Sequence, residues 1–194
     1  MAFKPVILED DRVLLRPIQL NDVPNLLPFA LSEPDIWTYS LISAAGEAGM
    51  EAYVQTAIHD MTMGHSLVFI VYDKWTNQYV GSTRFYDLSP QYRTCSIGYT
   101  WYAGSAQGSG LNAHCKFLML QHAFEDWGMA RVEFRADERN KRSVAAMKKI
   151  GCVEEGTLRN HLLLPNGDRR SSVVLSILDT EWLETVKARL QRLL

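Results

Sequence analysis

The stretch from residue 95 to residue 127 constrains this chain more than any other. A strand-like segment ending at Trp101 runs into a loop of Gly, Ser and Gln, and the loop opens directly into an apolar helix over about residues 108–127. Hydrophobic residues fall nearly all round that helix, so it must be mostly buried. Its first turn leaves backbone N–H groups without intrahelical partners, at the positive end of the helix dipole. Gly108 and Gly110 let the backbone come close to a ligand. Phosphate groups bind such a terminus without help from Lys or Arg. The first expectation is a phosphate-bearing cofactor or substrate.

Two common phosphate loops fit poorly. A Walker loop carries G-x-x-x-x-G-K-[ST], and no Lys follows Gly110. Gly108, Gly110 and Ala113 do match the dinucleotide pattern G-x-G-x-x-A, and Asp137 ends the next expected strand. That fingerprint places its glycines directly after a strand, inside a βαβ unit. Here six residues, Tyr102 to Gln107, intervene, and the flanking segments read as antiparallel strands. A dehydrogenase is therefore the weaker reading.

Composition narrows the class. A chain of 194 residues is expected to form one domain with a sizeable core. Its 47% hydrophobic and 22% charged content is that of an ordinary globular protein. A net charge of −2 with no long basic run argues against nucleic acid as the main partner. No apolar run reaches the roughly 18 residues of a membrane span, and the first residues lack the apolar core of a signal peptide. No membrane association is expected, and the setting expected is cytoplasmic. Cys95, Cys115 and Cys152 form no C-x-x-C pair and read as small buried hydrophobes. His114 beside Cys115 would point about 100° away on a helix, which removes a nucleophile–base pair there. The five histidines show no metal-ligand spacing, so no metal is expected.

Periodicity gives the elements. Strands are expected at about residues 12–18, 67–72, 79–86, 91–101, 130–136, 152–158 and 171–178. A first helix, capped by Asn21 and made irregular by Pro24 and Pro28, runs to about Ala30. A loop with Trp37 and Tyr39 follows. Met50, Tyr53, Val54, Ala57, Ile58 and Met61 share one face of a helix over residues 47–63. Further helices are expected at 140–150, closed by Gly151, and from Asp179 to about Leu190, with a turn at Asn166-Gly167-Asp168. This order describes an α+β fold, a mixed, mostly antiparallel central sheet flanked by helices, in a single domain over residues 1–194.

The segment Gln107-Gly108-Ser109-Gly110-Leu111-Asn112 resembles the Q/R-x-x-G-x-G/A loop of the GNAT superfamily of acyl-CoA-dependent N-acetyltransferases. Asn112 stands where that motif has Gly or Ala. The Rim-type ribosomal-protein N-terminal acetyltransferases are the most similar subgroup. Their motifs are matched here by Leu15-Arg16-Pro17, Ile97-Gly98-Tyr99, Asn140 with Ser143, and Glu155-Gly156-Thr157-Leu158-Arg159. Together these cover nearly the whole chain.

The resemblance implies acetyl-CoA as co-substrate, with its pyrophosphate on the amides of residues 107–112 and its pantetheine arm lying like an added strand beside Tyr99, Thr100 and Trp101. A backbone N–H of that strand would face the thioester oxygen. Asn140 would bind the pantetheine amides, though Asn is equally suited to cap a helix. Where many relatives carry a tyrosine acid this chain has Met147, so Ser143 is the expected acid for the departing thiolate. The expected base is His161, since residues 159–164 contain no carboxylate; Asp87 and Glu33 are less specific alternatives. Trp37 and Tyr39 are expected either to line the acceptor pocket or to anchor the core. The acceptor expected is a primary amine, on a small molecule or a protein N-terminus. A homodimer is left open, and a non-catalytic acyl-CoA-binding or sensing module is the alternative class.

Overall fold

The computed structural model describes residues 4–164 and 166–194. Among these residues eight strands form one sheet: β1 (Leu8–Glu9), β2 (Val13–Pro17), β3 (Ser66–Asp73), β4 (Gln78–Ser89), β5 (Thr94–Tyr102), β6 (Arg131–Asp137), β7 (Val153–Leu163) and β8 (Arg169–Leu178). Their spatial order is β1-β2-β3-β4-β5-β6-β8-β7. Every neighbouring pair is antiparallel except β5 with β6. A parallel pair needs a long crossover. The loop and helix that follow β5 supply it.

Helices cover both faces. α1 (Val23–Ser32) and α2 (Gly46–Thr62) lie on one; α3 (Leu111–Gln121) and, after it in the chain, a C-terminal run of α5 (Asp179–Glu181), a π turn and α6 (Lys187–Gln191) lie on the other. α4 (Lys141–Ile150) follows β6. Alternation along β3 divides the core. Leu67, Phe69 and Val71 join the cluster under α3, whereas Val68 and Ile70 pack with Tyr53 and Val54 of α2. A strand buried on both faces has no polar side, which explains the unbroken apolar run LVFIV. The C-terminal run is anchored by fully buried Trp182. Its ring stacks on Phe124 at 5.6 Å, and its Nε1 donates to Glu125 at 2.9 Å.

Three local expectations change. α1 is entered through a turn at Leu20–Asp22, and Asp22, not Asn21, sits at its N-cap. Asp22 is fixed there because Arg16 donates to both its carboxylate oxygens, at 2.8 and 2.6 Å, and the Gln19 amide donates at 2.8 Å. The long helix after residue 110 is α-helical only to Gln121 and widens into a π turn at His122–Asp126, closed by the Trp127 amide on the His122 carbonyl. β1 is two residues long, too short for any period to reveal.

Candidate active site

The single parallel pair holds together only at its start. Thr94, Cys95 and Ser96 pair with Arg131, Val132 and Glu133, and no pairing follows. Beyond Ser96 the strands part, so the side of β5 that faced β6 has backbone groups with no strand partner. At the parting β5 also bulges. Ser82 pairs with Trp101 and Arg84 with Gly98, so Thr83 faces both Tyr99 and Thr100. Tyr99 takes φ 49°, the left-handed conformation an inserted residue uses to turn the strand. Gly98 is required just before it, because a Cβ there would lie 2.9 Å from the Tyr86 ring.

The helices after the two parallel strands, α3 and α4, begin at the open end of this crevice. Ligands bind where parallel strands diverge in this way. Gly110 caps α3 with φ 92°, and Gly108 has φ 75°. The loop between them is braced from a distant strand. Buried Arg12 donates to the Ser109 carbonyl at 2.7 Å and to its hydroxyl at 3.0 Å, with its guanidinium 4.1 Å over Trp75. Gln107 donates to the Tyr102 carbonyl at 2.9 Å and accepts from Arg142 of α4. Asn112, where the motif has a smaller residue, accepts from the Tyr102 hydroxyl at 3.1 Å. Its side chain therefore ties α3 back to the strand. Fixed amides and paired glycines at a helix N-terminus suit a pyrophosphate.

Asn140 caps α4, its Oδ1 accepting from the Ser143 amide at 3.0 Å. Ser143 is half-buried in the first turn, and Met147 is buried in the core. Trp37 is buried, its ring 5.0 Å from Trp101. Tyr39 is at the surface, its carbonyl accepting from Arg170 at 3.3 Å. His161 lies in an irregular part of β7, where residues 159–161 stand between the paired Leu158 and Leu162. Neither of its ring nitrogens has a hydrogen-bond partner among the described residues. Burial lowers its pKa, and the positive charges of Arg135 and Arg170 lower it further. Glu33 accepts from the Gly104 amide at 2.6 Å.

Of the opposite face of the bulge, sequence reasoning named only Tyr99 and, as an alternative base, Asp87. A cleft of about 170 Å³ lies between Asp60, Ser66, Arg84, Tyr86, Asp87 and Tyr99. Asp87 also borders a second cleft of about 190 Å³ that reaches Ser96, Glu133 and Arg135. Burial raises the Tyr99 pKa. The Gly-rich loop thus sits with the α3 layer and the clefts on the α2 side. Tyr99 lies at the parting between them.

A sheet of this strand order, parted at its one parallel pair beside a glycine-rich helix N-terminus, defines an acetyltransferase fold. The chain belongs to the acetyltransferase (GNAT) domain family, whose model matches residues 12–153. Among curated relatives, YdaF of Bacillus subtilis (strain 168), named as a candidate ribosomal N-acetyltransferase, is 26% identical over 179 residues, 89% of this chain and 94% of that protein. A candidate acetyltransferase of known structure from T. thermophilus is 29% identical, with a TM-score of 0.89 over 99% of this chain and 98% of that one. RimJ of Mycobacterium smegmatis, solved in complex with CoA-disulfide, shares the fold at 20% identity, with a TM-score of 0.81 over 98% of this chain and 94% of that one. Among the described residues, no helix is long and apolar enough to cross a membrane.

Proposed function

We propose that this acetyltransferase moves the acetyl group of acetyl-CoA directly to a primary amine, on a small molecule or a protein N-terminus. The observation that carries the reading is the bulge at Tyr99 beside the parted strands, with the α3 N-terminus and its braced loop at the same opening. The loop amides hold the pyrophosphate, and the unpaired edge of β5 takes the pantetheine amides. A backbone N–H of residues 99–101 donates to the carbonyl oxygen as it gains negative charge. The neutral amine attacks the thioester carbon from the cleft side, and the C–S bond breaks. The amine's proton leaves to His161 or water, and Ser143 or water protonates the thiolate. His161 suits the base role because its lowered pKa keeps it neutral near pH 7.

An α-amine is about one-fifth neutral at physiological pH and a lysine only about 0.1%, so with no stronger base the α-amine is the better acceptor. Met147, buried and without a proton to give, favours a non-catalytic CoA-binding module as the second reading. Incubation with acetyl-CoA and a panel of amines and N-terminal peptides decides between them. The expected result is acetylated product by mass together with free thiol. Tight acetyl-CoA binding without turnover on any amine would favour the second reading.

A further inference from the structure

Arg84 is the least explained side chain near the bulge. It comes from β4 with 2% of its surface exposed, and its guanidinium lies 4.5 Å over the Tyr99 ring and 5.4 Å over the Tyr53 ring. Its one ion pair among the described residues is loose: Nη1 is 3.5 Å from Asp60 Oδ2. Nε and Nη2 are buried and have no hydrogen-bond partner among the described residues. These two nitrogens share one edge of the guanidinium plane, where parallel N–H groups match the two oxygens of a carboxylate. Buried charged donors left unpaired are costly, and two of them on one edge suit an acceptor with two oxygens. A second group in the same cleft points the same way, since the Ser66 hydroxyl is also buried without a partner.

The geometry points to a carboxylate subsite at Arg84 and Ser66, so that the acceptor carries a carboxylate together with its amine. The inference rests on the proposed acetyl transfer and names the class of acceptor. The cleft has mixed charge, with Arg84 at one wall and Asp60 and Asp87 at others. That pattern complements a zwitterion. The two aspartates disfavour a dianionic phosphate and favour an ammonium beside a carboxylate. At about 170 Å³ the cleft is smaller than the roughly 300–1,000 Å³ of drug-sized ligand sites, and its scale is that of one amino acid. Tyr99 joins the cleft to the bulge. A carboxylate on Arg84 thus leaves the amine within the same small space as the proposed oxyanion donor.

The carboxylate has two sources: the α-carboxylate of a free amino acid, or the acidic side chain of a peptide's first residue. Two matched series separate them. One compares free amino acids with their α-amides, with rates taken per neutral amine because an α-carboxylate raises the pKa of the neighbouring amine. The other compares peptides beginning with Asp or Asn, their C-termini amidated. Acetyl-CoA turnover is followed by thiol release, and binding by calorimetry with CoA present. A bidentate charge-assisted contact predicts about 10–100-fold preference for the acid in one series. Arg84→Gln and Arg84→Lys should reduce that preference to within about 3-fold, the lysine keeping the charge but losing the fork. The wild-type comparison stands even if both variants fail to fold. Equal use and equal binding of acid and amide in both series would overturn the subsite while leaving acetyl transfer intact. Arg84-dependent binding of the acid with no turnover on any amine would support the subsite and defeat the transferase reading.

Discussion

Lys116 offers a test of how this fold is stabilised around its bulge. It points from α3 into the core, 4% exposed, and its Nζ donates to the Thr100 hydroxyl at 2.9 Å and the Thr83 hydroxyl at 3.1 Å. No carboxylate pairs with it among the described residues. Burial lowers its pKa from 10.5 to about 8, a gap that corresponds to about 3 kcal/mol. The sign follows from proton counts. Below pH 8 folded and unfolded chains both hold the proton, and the full penalty for a buried charge is present. Between pH 8 and 10.5 the unfolded chain keeps the proton that the folded one has released, so stability rises with pH. Lys116→Met keeps most of the stem and removes the charge, but loses two hydrogen bonds of about 1 kcal/mol each. Thr83 and Thr100 still bond each other at 2.7 Å. The variant should therefore be about 1 kcal/mol more stable at pH 7 and about 2 kcal/mol less stable near pH 10.5, the curves crossing at about pH 9. Urea unfolding of both proteins from pH 6 to 10.5 measures this. Buried Cys95, its thiol raised to about 12 by burial alone, lowers stability as pH rises equally in both proteins and cancels in the difference curve, whereas Cys115 and Cys152 lie in the field of Lys116, so the comparison is made in a background with both replaced by Ala. A difference that stays flat from pH 8 to 10.5, or a variant much less stable at pH 7, would refute the buried-lysine argument.

The proposed cofactor and catalytic residues give further tests. Gly110→Asp places a side chain at φ 92°, with its Cβ 3.2 Å from the Arg12 guanidinium. Its carboxylate would compete with Ser109 for Arg12 and meet the pyrophosphate with like charge. Acetyl-CoA affinity should fall more than about 10-fold by calorimetry, while circular dichroism shows the fold retained; unchanged affinity removes the loop from the site. Ser143→Ala should lower kcat more than it raises KM for acetyl-CoA, whereas Asn140→Ala should mainly raise KM and cost about 1 kcal/mol of stability as a lost cap. Wild-type kinetics in both would confine these residues to capping. With His161 held below its ordinary pKa, the base limb of the pH–rate profile should lie below about pH 6.5, and the rise toward pH 8.5 should follow the amine alone. His161→Ala should remove the lower limb and leave the upper; an unchanged profile makes His161 a bystander.

Period and local chemistry were enough for much of this protein. The alternation of β3, the apolar face of α2 and the loop from Gln107 to Asn112 are legible because each depends on residues a few positions apart. Asn140 was legible as a helix cap for the same reason. What the chain does at Tyr99 was not. An inserted residue in β5 shows only when β4 is laid beside it and Thr83 is found facing two partners. The brace from Arg12 to Ser109 spans 97 positions, and β1 exists only because Leu14 and Leu15 pair with it. Arg84 and Lys116 mislead most when read locally. In sequence each is an ordinary cation, expected at a surface. The assembled sheet, with helices on both faces, encloses one against two tyrosine rings and the other beneath two threonines. Short-range pattern determined which elements form. Which polar groups lose water, and so which carry unpaired donors and shifted pKa values, was decided only when distant elements closed over them.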